Sequence, residues 1–396
     1  MGESRGGRLV SLDVFRGAIM LTLASTAFGL NAAAKHFPDN ETWRLVAFHT
    51  DHPEWISNHW VAGVSYWDLI QPAFMFMVGV SMPFSYARRL DRGQGFSRMA
   101  GHALFRSVVL VLLGVFLSSA WNKHTDWSFV NVLTQIGLGY FVVFLLMHVR
   151  PLFQVSAAML ILFGYWLAFV IHVVPNSAGM ADHFRPGVNF AEWFDTWFLN
   201  KFPRDKPFTM NEGHYATLNF VPSIVTMLFG LMCGELLRSQ RPGWAKVGLL
   251  LGGALVCMAL GLAGGQTICP IVKRIWTPSW VLFSGAYVMG ILALLYLVID
   301  VIGLKFWTWP LVVLGTNSIL LYVLAQLTKK WVASQLLIHF GGVDFHFTLR
   351  GVEHHFNYAH QMTASPYGPI WYYSSVMAVF WLLCAWLHRQ KLFVRI

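Results

Sequence analysis

Long apolar stretches alternate with short polar segments along almost the whole chain. A helix needs about 20 mostly apolar residues to cross the hydrocarbon of a bilayer. Ten stretches approach that length: residues 11–33, 67–87, 105–121, 129–148, 152–174, 216–237, 245–264, 278–300, 309–327 and 369–388. Several contain Gly or Pro, which membrane helices tolerate better than soluble ones. The pattern predicts an all-α fold, a polytopic membrane helix bundle of about ten transmembrane helices, as one domain over residues 1–396. Neither a solenoid repeat, a low-complexity segment nor a transporter-type inverted repeat is evident.

Composition supports lipid as the solvent. The chain is 56% hydrophobic and 12% charged, against about 25% charged in soluble domains. The 18 Trp and 32 Phe suit membrane interfaces. A net charge of +10 could suggest nucleic acid, but the cations form short clusters between apolar stretches rather than one run, which argues against that partner. Arg5 and Arg8, then Arg88, Arg89, Arg92, Arg98 and Arg106, then Arg238, Arg241 and Lys246, then Arg389, Lys391 and Arg395 all fall on one side of a ten-span bundle. The positive-inside rule makes that side, and both termini, cytoplasmic. The long connections 34–66, 175–215 and 328–368 are then extracytoplasmic and expected to fold over the outer mouth.

Cys233, Cys257, Cys269 and Cys384 show no paired or metal-type spacing, so neither a disulfide framework nor a zinc site is expected. The first apolar stretch carries Asp13 and Arg16, unlike the apolar core of a cleavable signal peptide.

Charged and polar residues within this apolar background are the candidates for chemistry. Asp13 and Arg16 are three apart on one helix face and are expected to form an internal ion pair locking the first span to the bundle. His59 precedes a span that opens with Asp68, Gln71 and Pro72. Histidine suits proton transfer near neutral pH, and a carboxylate beside it would fix its tautomer. His52, followed by Pro53-Glu54-Trp55, is a rival in the same connection. Arg88, Arg89 and Arg106 could bind phosphates or anionic membrane lipid. Gln135 and the run Gly315-Thr316-Asn317-Ser318 either glue helices together or line a cavity. The histidines His339, His346, His354, His355 and His360 lack recognised ligand spacing, so no metal is expected.

Five ordered segments carry a resemblance. Arg8-Leu9-Val10-Ser11-Leu12-Asp13-Val14-Phe15-Arg16-Gly17, Trp67-Asp68-Leu69-Ile70-Gln71-Pro72 through Gly79-Val80, and Val132-Leu133-Thr134-Gln135-Ile136-Gly137 are the first three. Phe220-Val221-Pro222-Ser223 with Phe229-Gly230 and Gly234-Glu235, and Gly315-Thr316-Asn317-Ser318 with Tyr322, complete them. The chain resembles the heparan-α-glucosaminide N-acetyltransferase family and its bacterial relatives.

The resemblance implies a multi-pass protein of the bacterial inner membrane. It would take an acetyl group from cytoplasmic acetyl-CoA and deliver it to a periplasmic amino sugar or glycan, and the family suggests a homodimer. It implies a far-side catalytic histidine before the second motif, a role that falls to His59 with Asp68, one place from the family register at Asn58. The inner arginines Arg88, Arg89 and Arg106, with Gln135, Asn317 and Ser318, would meet the acetyl-CoA. Where the family has an asparagine near the outer end of the first span, this chain has Ala27, with Asn31 one turn later. The competing expectations are a transporter or flippase for a small solute or lipid-linked sugar, or a non-catalytic family member.

Overall fold

The computed structural model describes residues 9–52, 55, 64–349 and 352–394. The first apolar stretch is a broken span. Helix α1 (Val10–Ala24) stops at a turn, and α2 (Leu30–Ala34) continues after it. The limbs Val10–Ala24 and Ala27–Ala34 are bent by 50°. Thr26, Ala27, Phe28 and Gly29 all have positive φ, at 49°, 48°, 55° and 67°. Left-handed backbone costs about 1–2 kcal/mol at each residue other than glycine. Lys329 holds this turn by donating to Thr26 Oγ1 at 2.6 Å.

Helix α3 (Glu41–Thr50) lies in the first long connection and is capped by Asn40, whose side chain accepts from Trp43 N. Then follow α4 (Tyr66–Leu90), α5 (Phe96–Ser119), α6 (Val132–Leu146) and α7 (Pro151–Ile171). The second long connection holds α8 (Phe190–Leu199). Helices α9 (Phe220–Arg238), α10 (Gly243–Thr267) and α11 (Pro278–Leu295) come next. A wider π turn, Tyr296–Val301, continues α11. After it, α12 (Trp309–Thr316) and α13 (Ser318–Phe340) are bent by 78°. A hairpin of β1 (Asp344–Leu349) and β2 (Val352–Asn357), then α14 (Tyr358–Thr363) and α15 (Gly368–Arg389), complete the described chain.

Among the described residues, seven helices are long and apolar enough to cross a membrane, or nine if each bent pair is one span. The protein is an all-α, multi-pass membrane bundle. The remaining expected span, the fourth, at 129–148, is α6, with 15 residues. At 1.5 Å per residue it reaches roughly 22 Å, short of a hydrocarbon core of about 30 Å. Two further expectations change. The ninth span is not one helix over 309–327 but breaks at Asn317. Its second limb runs on to Phe340, so the third long connection starts later than expected and carries the hairpin.

Glycines set how closely the helices approach. A Cβ on Gly17 of α1 would sit 1.9 Å from Leu311 O of α12, and one on Gly315 would sit 2.0 Å from Asp13 O. Helices α4 and α9 meet the same way, with Gly79 against Met227 O at 1.9 Å and Gly230 against Phe76 O at 2.0 Å. No larger residue fits these crossings, where backbones touch as membrane helices do at small residues. The apolar parts of α4 and of Glu212–Arg238 are 72% and 67% buried, against 22–28% for α5, α7, α10 and α15. The former pair is therefore the centre of the bundle and the latter four present apolar faces to lipid.

Asp13 and Arg16 sit inside this frame. Arg16 lies 4.0 Å from Asp13 Oδ1, donates to Ser81 Oγ of α4 at 2.6 Å and to Gly315 O at 3.4 Å. Asp300 accepts from Val10 N and Ser11 N at 3.3 and 3.1 Å. Its carboxylate thereby satisfies amide groups that the first turn of α1 leaves open.

Candidate functional site

Asp68 stands in the first turn of α4. Ser65 caps that helix, its hydroxyl accepting from Trp67 N at 3.1 Å and donating to Asp51 O at 2.7 Å. The end of α3 is thus tied to the start of α4. Asp51 also accepts from Asn31 Nδ2 at 2.9 Å and from His52 N at 2.7 Å. The next residue, His52, lies against Asp68, with Nδ1 2.6 Å from Oδ1.

Lys273 closes the group. Its Nζ is 3.0 Å from Asp68 Oδ1 and 3.1 Å from His52 Nδ1. It comes from the connection between α10 and α11, which folds inward so that Cys269, Ile271, Val272, Ile275 and Trp276 are buried. Internal bonds hold that connection: Thr277 Oγ1 donates to Pro270 O at 2.8 Å, and Ser279 Oγ to Cys269 O at 2.7 Å. From outside it, Asn219 Nδ2 donates to Arg274 O at 2.8 Å and Tyr165 Oη to Ile275 O at 2.9 Å. The Asp68 and Lys273 side chains are only 5% and 6% exposed, whereas His52 keeps 33%. The two buried charges therefore neutralise each other, and the imidazole is the accessible member.

Trp67 and Asp68 set one tautomer of His52, in which Lys273 Nζ, although 3.1 Å from Nδ1, bonds Asp68 and not the ring. Trp67 Nε1 donates to His52 Nε2 at 3.2 Å, so Nε2 carries the lone pair. Nδ1 then carries the proton and donates to Asp68. A carboxylate behind Nδ1 with the lone pair on Nε2 is the arrangement of a general base. Beside these groups lies a cavity of ≈ 230 Å³ lined by His52, Trp67, Gln71, Asn131, Tyr215 and Lys273 among others. The Tyr215 ring is 5.9 Å from the His52 ring and 5.6 Å from Lys273 Nζ. Its buried hydroxyl has no hydrogen-bond partner among the described residues, which fits a site meant for a ligand's acceptor atom.

A neighbouring network sets Tyr215 in place. Asn211 Nδ2 donates to Tyr215 O at 2.7 Å and to Asp195 Oδ2 at 3.1 Å. Thr217 N donates to both Asp195 oxygens, at 3.2 and 3.0 Å. Burial pushes the Asp195 carboxyl up to about 6, against the pull of the Thr217 bonds.

The other expected site residues are dispersed. His59 lies outside the described residues. Arg89 donates to His102 Nε2 at 2.5 Å and to Gln94 Oε1 at 3.2 Å. Arg106 donates to Tyr140 Oη at 3.3 Å, stacks over that ring, and has a buried Nε without a partner among the described residues. Tyr140 in turn donates to Tyr86 Oη at 3.4 Å. These groups form one patch between α4, α5 and α6. Tyr86 is 18 positions along α4 from Asp68, roughly 27 Å. Arg88 donates within its own helix, to Phe84 O at 3.2 Å. Gln135 is buried and donates to Phe129 O at 2.8 Å and Thr217 O at 3.2 Å. Asn317 donates to Leu392 O at 3.2 Å and accepts from Val394 N at 3.0 Å, so the chain's own tail fills that helix break. Ser318, half-buried, begins α13.

Lys273 and Tyr215 were missed by sequence reasoning. The signal for Lys273 was available: Lys273-Arg274 are cations in a connection expected on the outer side, where the charge rule predicts few.

No family model matches the chain. Heparan-alpha-glucosaminide N-acetyltransferase of Mus musculus is 24% identical over 398 aligned positions, covering 84% of this chain and 55% of the relative. The Homo sapiens protein of that name is 24% identical over 374 positions, covering 80% and 52%. This chain is a distant relative of those acetyltransferases. It spans about half the length of the curated relatives it matches. The alignment runs through most of the chain, as the ordered motifs from residue 8 to 322 imply.

Proposed function

We propose that the protein is a transmembrane acetyltransferase that moves the acetyl group of cytoplasmic acetyl-CoA to an amine or hydroxyl of a periplasmic sugar or glycan. The observation that carries this reading is the His52–Asp68–Lys273 group at the cavity, in a chain distantly related to N-acetyltransferases. His52, rather than His59, is the base. In the transfer, the acceptor displaces Trp67 Nε1 from His52 Nε2, which takes the acceptor's proton as the acceptor's nitrogen or oxygen attacks the thioester carbonyl. The carbon–sulfur bond breaks, and the departing thiolate receives that proton. Lys273 and the Tyr215 hydroxyl stabilise the negative charge that grows on the carbonyl oxygen. Asp68 holds the imidazole in its tautomer and offsets its charge once protonated.

The donor's phosphates suit the inner patch of Arg89 and Arg106, where a buried guanidinium nitrogen lacks a partner. Patch and cavity are far apart along α4, so a single donor serving both must lie extended through the bundle, as a pantetheine-linked thioester can. A second groove, of ≈ 450 Å³, includes His36, Ser365, Tyr372 and Tyr373 in its lining. Aromatic faces edged by polar groups suit a sugar.

Broken spans favour the transporter reading, since discontinuous helices build transport sites. Against it, the polar break at Asn317 is satisfied by the tail at Leu392 and Val394 and is not left open for a solute.

The test is binding and turnover with purified full-length protein. Acetyl-CoA and desulfo-CoA are expected to bind saturably; no saturable binding of either overturns the reading. His52→Ala is expected to lower transfer by about 10²–10⁴-fold while leaving desulfo-CoA binding intact. If His52→Ala keeps full activity and His59→Ala abolishes it, His59 is the base.

A further inference from the structure

The hairpin of the third long connection carries a cluster unrelated to the cavity. Asp344, His346 and His355 offer one ligand atom each, all within 4.8 Å of one another. The strand register explains why. His346 pairs directly with His355 across the antiparallel ladder. Asp344, two residues before His346, falls on the same face of β1, because side chains alternate along a strand. The two imidazoles stack, with centroids 4.5 Å apart and planes at 19°. Both turn Nε2 toward one carboxylate oxygen: Asp344 Oδ1 is 2.5 Å from His355 Nε2 and 3.8 Å from His346 Nε2.

We propose that Asp344, His346 and His355 form a binding site for a divalent transition-metal ion of the zinc, copper or nickel class. Two imidazoles and one carboxylate are donors that such ions prefer, whereas calcium and magnesium take oxygen ligands. In a tetrahedral zinc site with bonds of about 2.0–2.1 Å, donor atoms sit roughly 3.3 Å apart, within the spacing found here. The two histidines are nine positions apart in sequence, so no short ligand motif announces the site; only the hairpin register creates it. The donors are solvent-exposed, leaving room for water at the remaining coordination positions and a path for entry.

The fold gives such an ion a task. A two-stranded hairpin standing alone is marginally stable in water. This one is a two-stranded sheet with no third strand among the described residues, and Phe356 meets Trp371 of α15 with ring centroids 5.2 Å apart. An ion bound by Asp344 and His346 on β1 and His355 on β2 clips the strands together over the extramembrane end of the bundle.

The experiment is a Zn2+ titration of the tag-free full-length protein after chelator stripping, read by calorimetry, with a parallel Co2+ titration read by d–d absorption. One saturable ion per chain is expected. Each of His346→Ala, His355→Ala and Asp344→Ala should weaken binding at least about tenfold, the scale seen for losing even outer-shell partners. The double variant His339→Ala/His360→Ala, which removes nearby histidines outside the cluster, should bind as the parent does. Limited proteolysis of the 341–357 segment should slow when Zn2+ is added to the parent but not to His346→Ala/His355→Ala. No saturable binding, or affinity unchanged in His346→Ala/His355→Ala, overturns the proposal. Thermal unfolding of the metal-free variants should match the metal-free parent, since the three side chains are exposed. Acetyl transfer does not enter this test, so its outcome is independent of the function proposed above.

Discussion

At the scale of the residue, the centre of the molecule is one buried carboxylate with two partners of different kinds. Asp68 is charged and buried, and Lys273 is the cation that makes this tolerable. Removing one member of such a pair costs about 3–5 kcal/mol, because the other is left uncompensated. Lys273→Met should therefore lower the unfolding temperature in detergent markedly, and Asp68→Asn/Lys273→Met should recover most of the loss. Equal destabilisation of the single and double variants would refute the pairing.

Asp195 supplies a pH dependence with the less usual sign. Its carboxyl is raised from 3.8 to about 6, so between those values the folded state holds a proton that the unfolded state lacks. The stability this contributes is complete below the unfolded value and is lost as pH rises through about 6. About two units correspond to roughly 3 kcal/mol. Asp195→Asn keeps an acceptor for Thr217 N and should flatten the difference in thermal stability between about pH 4.5 and about pH 7. A variant with an unchanged pH profile would show that another group is responsible.

At the scale of the element, the motif glycines are crossing points. Gly230→Ala puts a Cβ 2.0 Å from Phe76 O, where the backbone of α4 must move. Overpacking of this kind costs about 1–3 kcal/mol or more. Gly164→Ala in α7 meets nothing within 4 Å and should be neutral or slightly stabilising, since alanine favours helix. Thermal unfolding of the two variants side by side checks the contrast. The helix breaks are also element-scale features. Apolar content along a stretch reports whether it enters lipid, but not whether its backbone stays continuous. The turn at Thr26–Gly29 depends on Lys329, 303 residues away, and the break at Asn317 depends on the tail. Neither partner is visible from within its own stretch.

At the scale of the whole molecule, the clustered cations lead us to propose cytoplasmic termini and an outer face bearing His52, Lys273 and the hairpin. A reporter fused after Ile396 should read cytoplasmic, and one inserted in the connection before β1 should read external. The opposite pair of results would invert the direction of acetyl transfer along with the topology. In the proposed orientation the inner arginine patch faces the compartment of the donor, and the cavity faces that of the acceptor.

The sequence by itself determined that the chain lives in lipid and where most of its spans lie. Both are one-dimensional properties, set by the length and composition of apolar runs. It also marked Asp13, Arg16 and Asp68, because a charge inside an apolar run stands out, and it kept His52 as an alternative beside Asp68. Only the tertiary structure decided which groups meet. Lys273 reaches Asp68 across 205 residues, from a connection that reads as a plain linker until it folds inward. Gln135 and Asn317 both donate to backbone carbonyls, a use that polar residue type alone could not distinguish from ligand binding, while the buried Gln135 Oε1 has no partner among the described residues. Hydrogen-bond partnership is a property of three-dimensional neighbours, and at these positions the neighbours are remote in the chain.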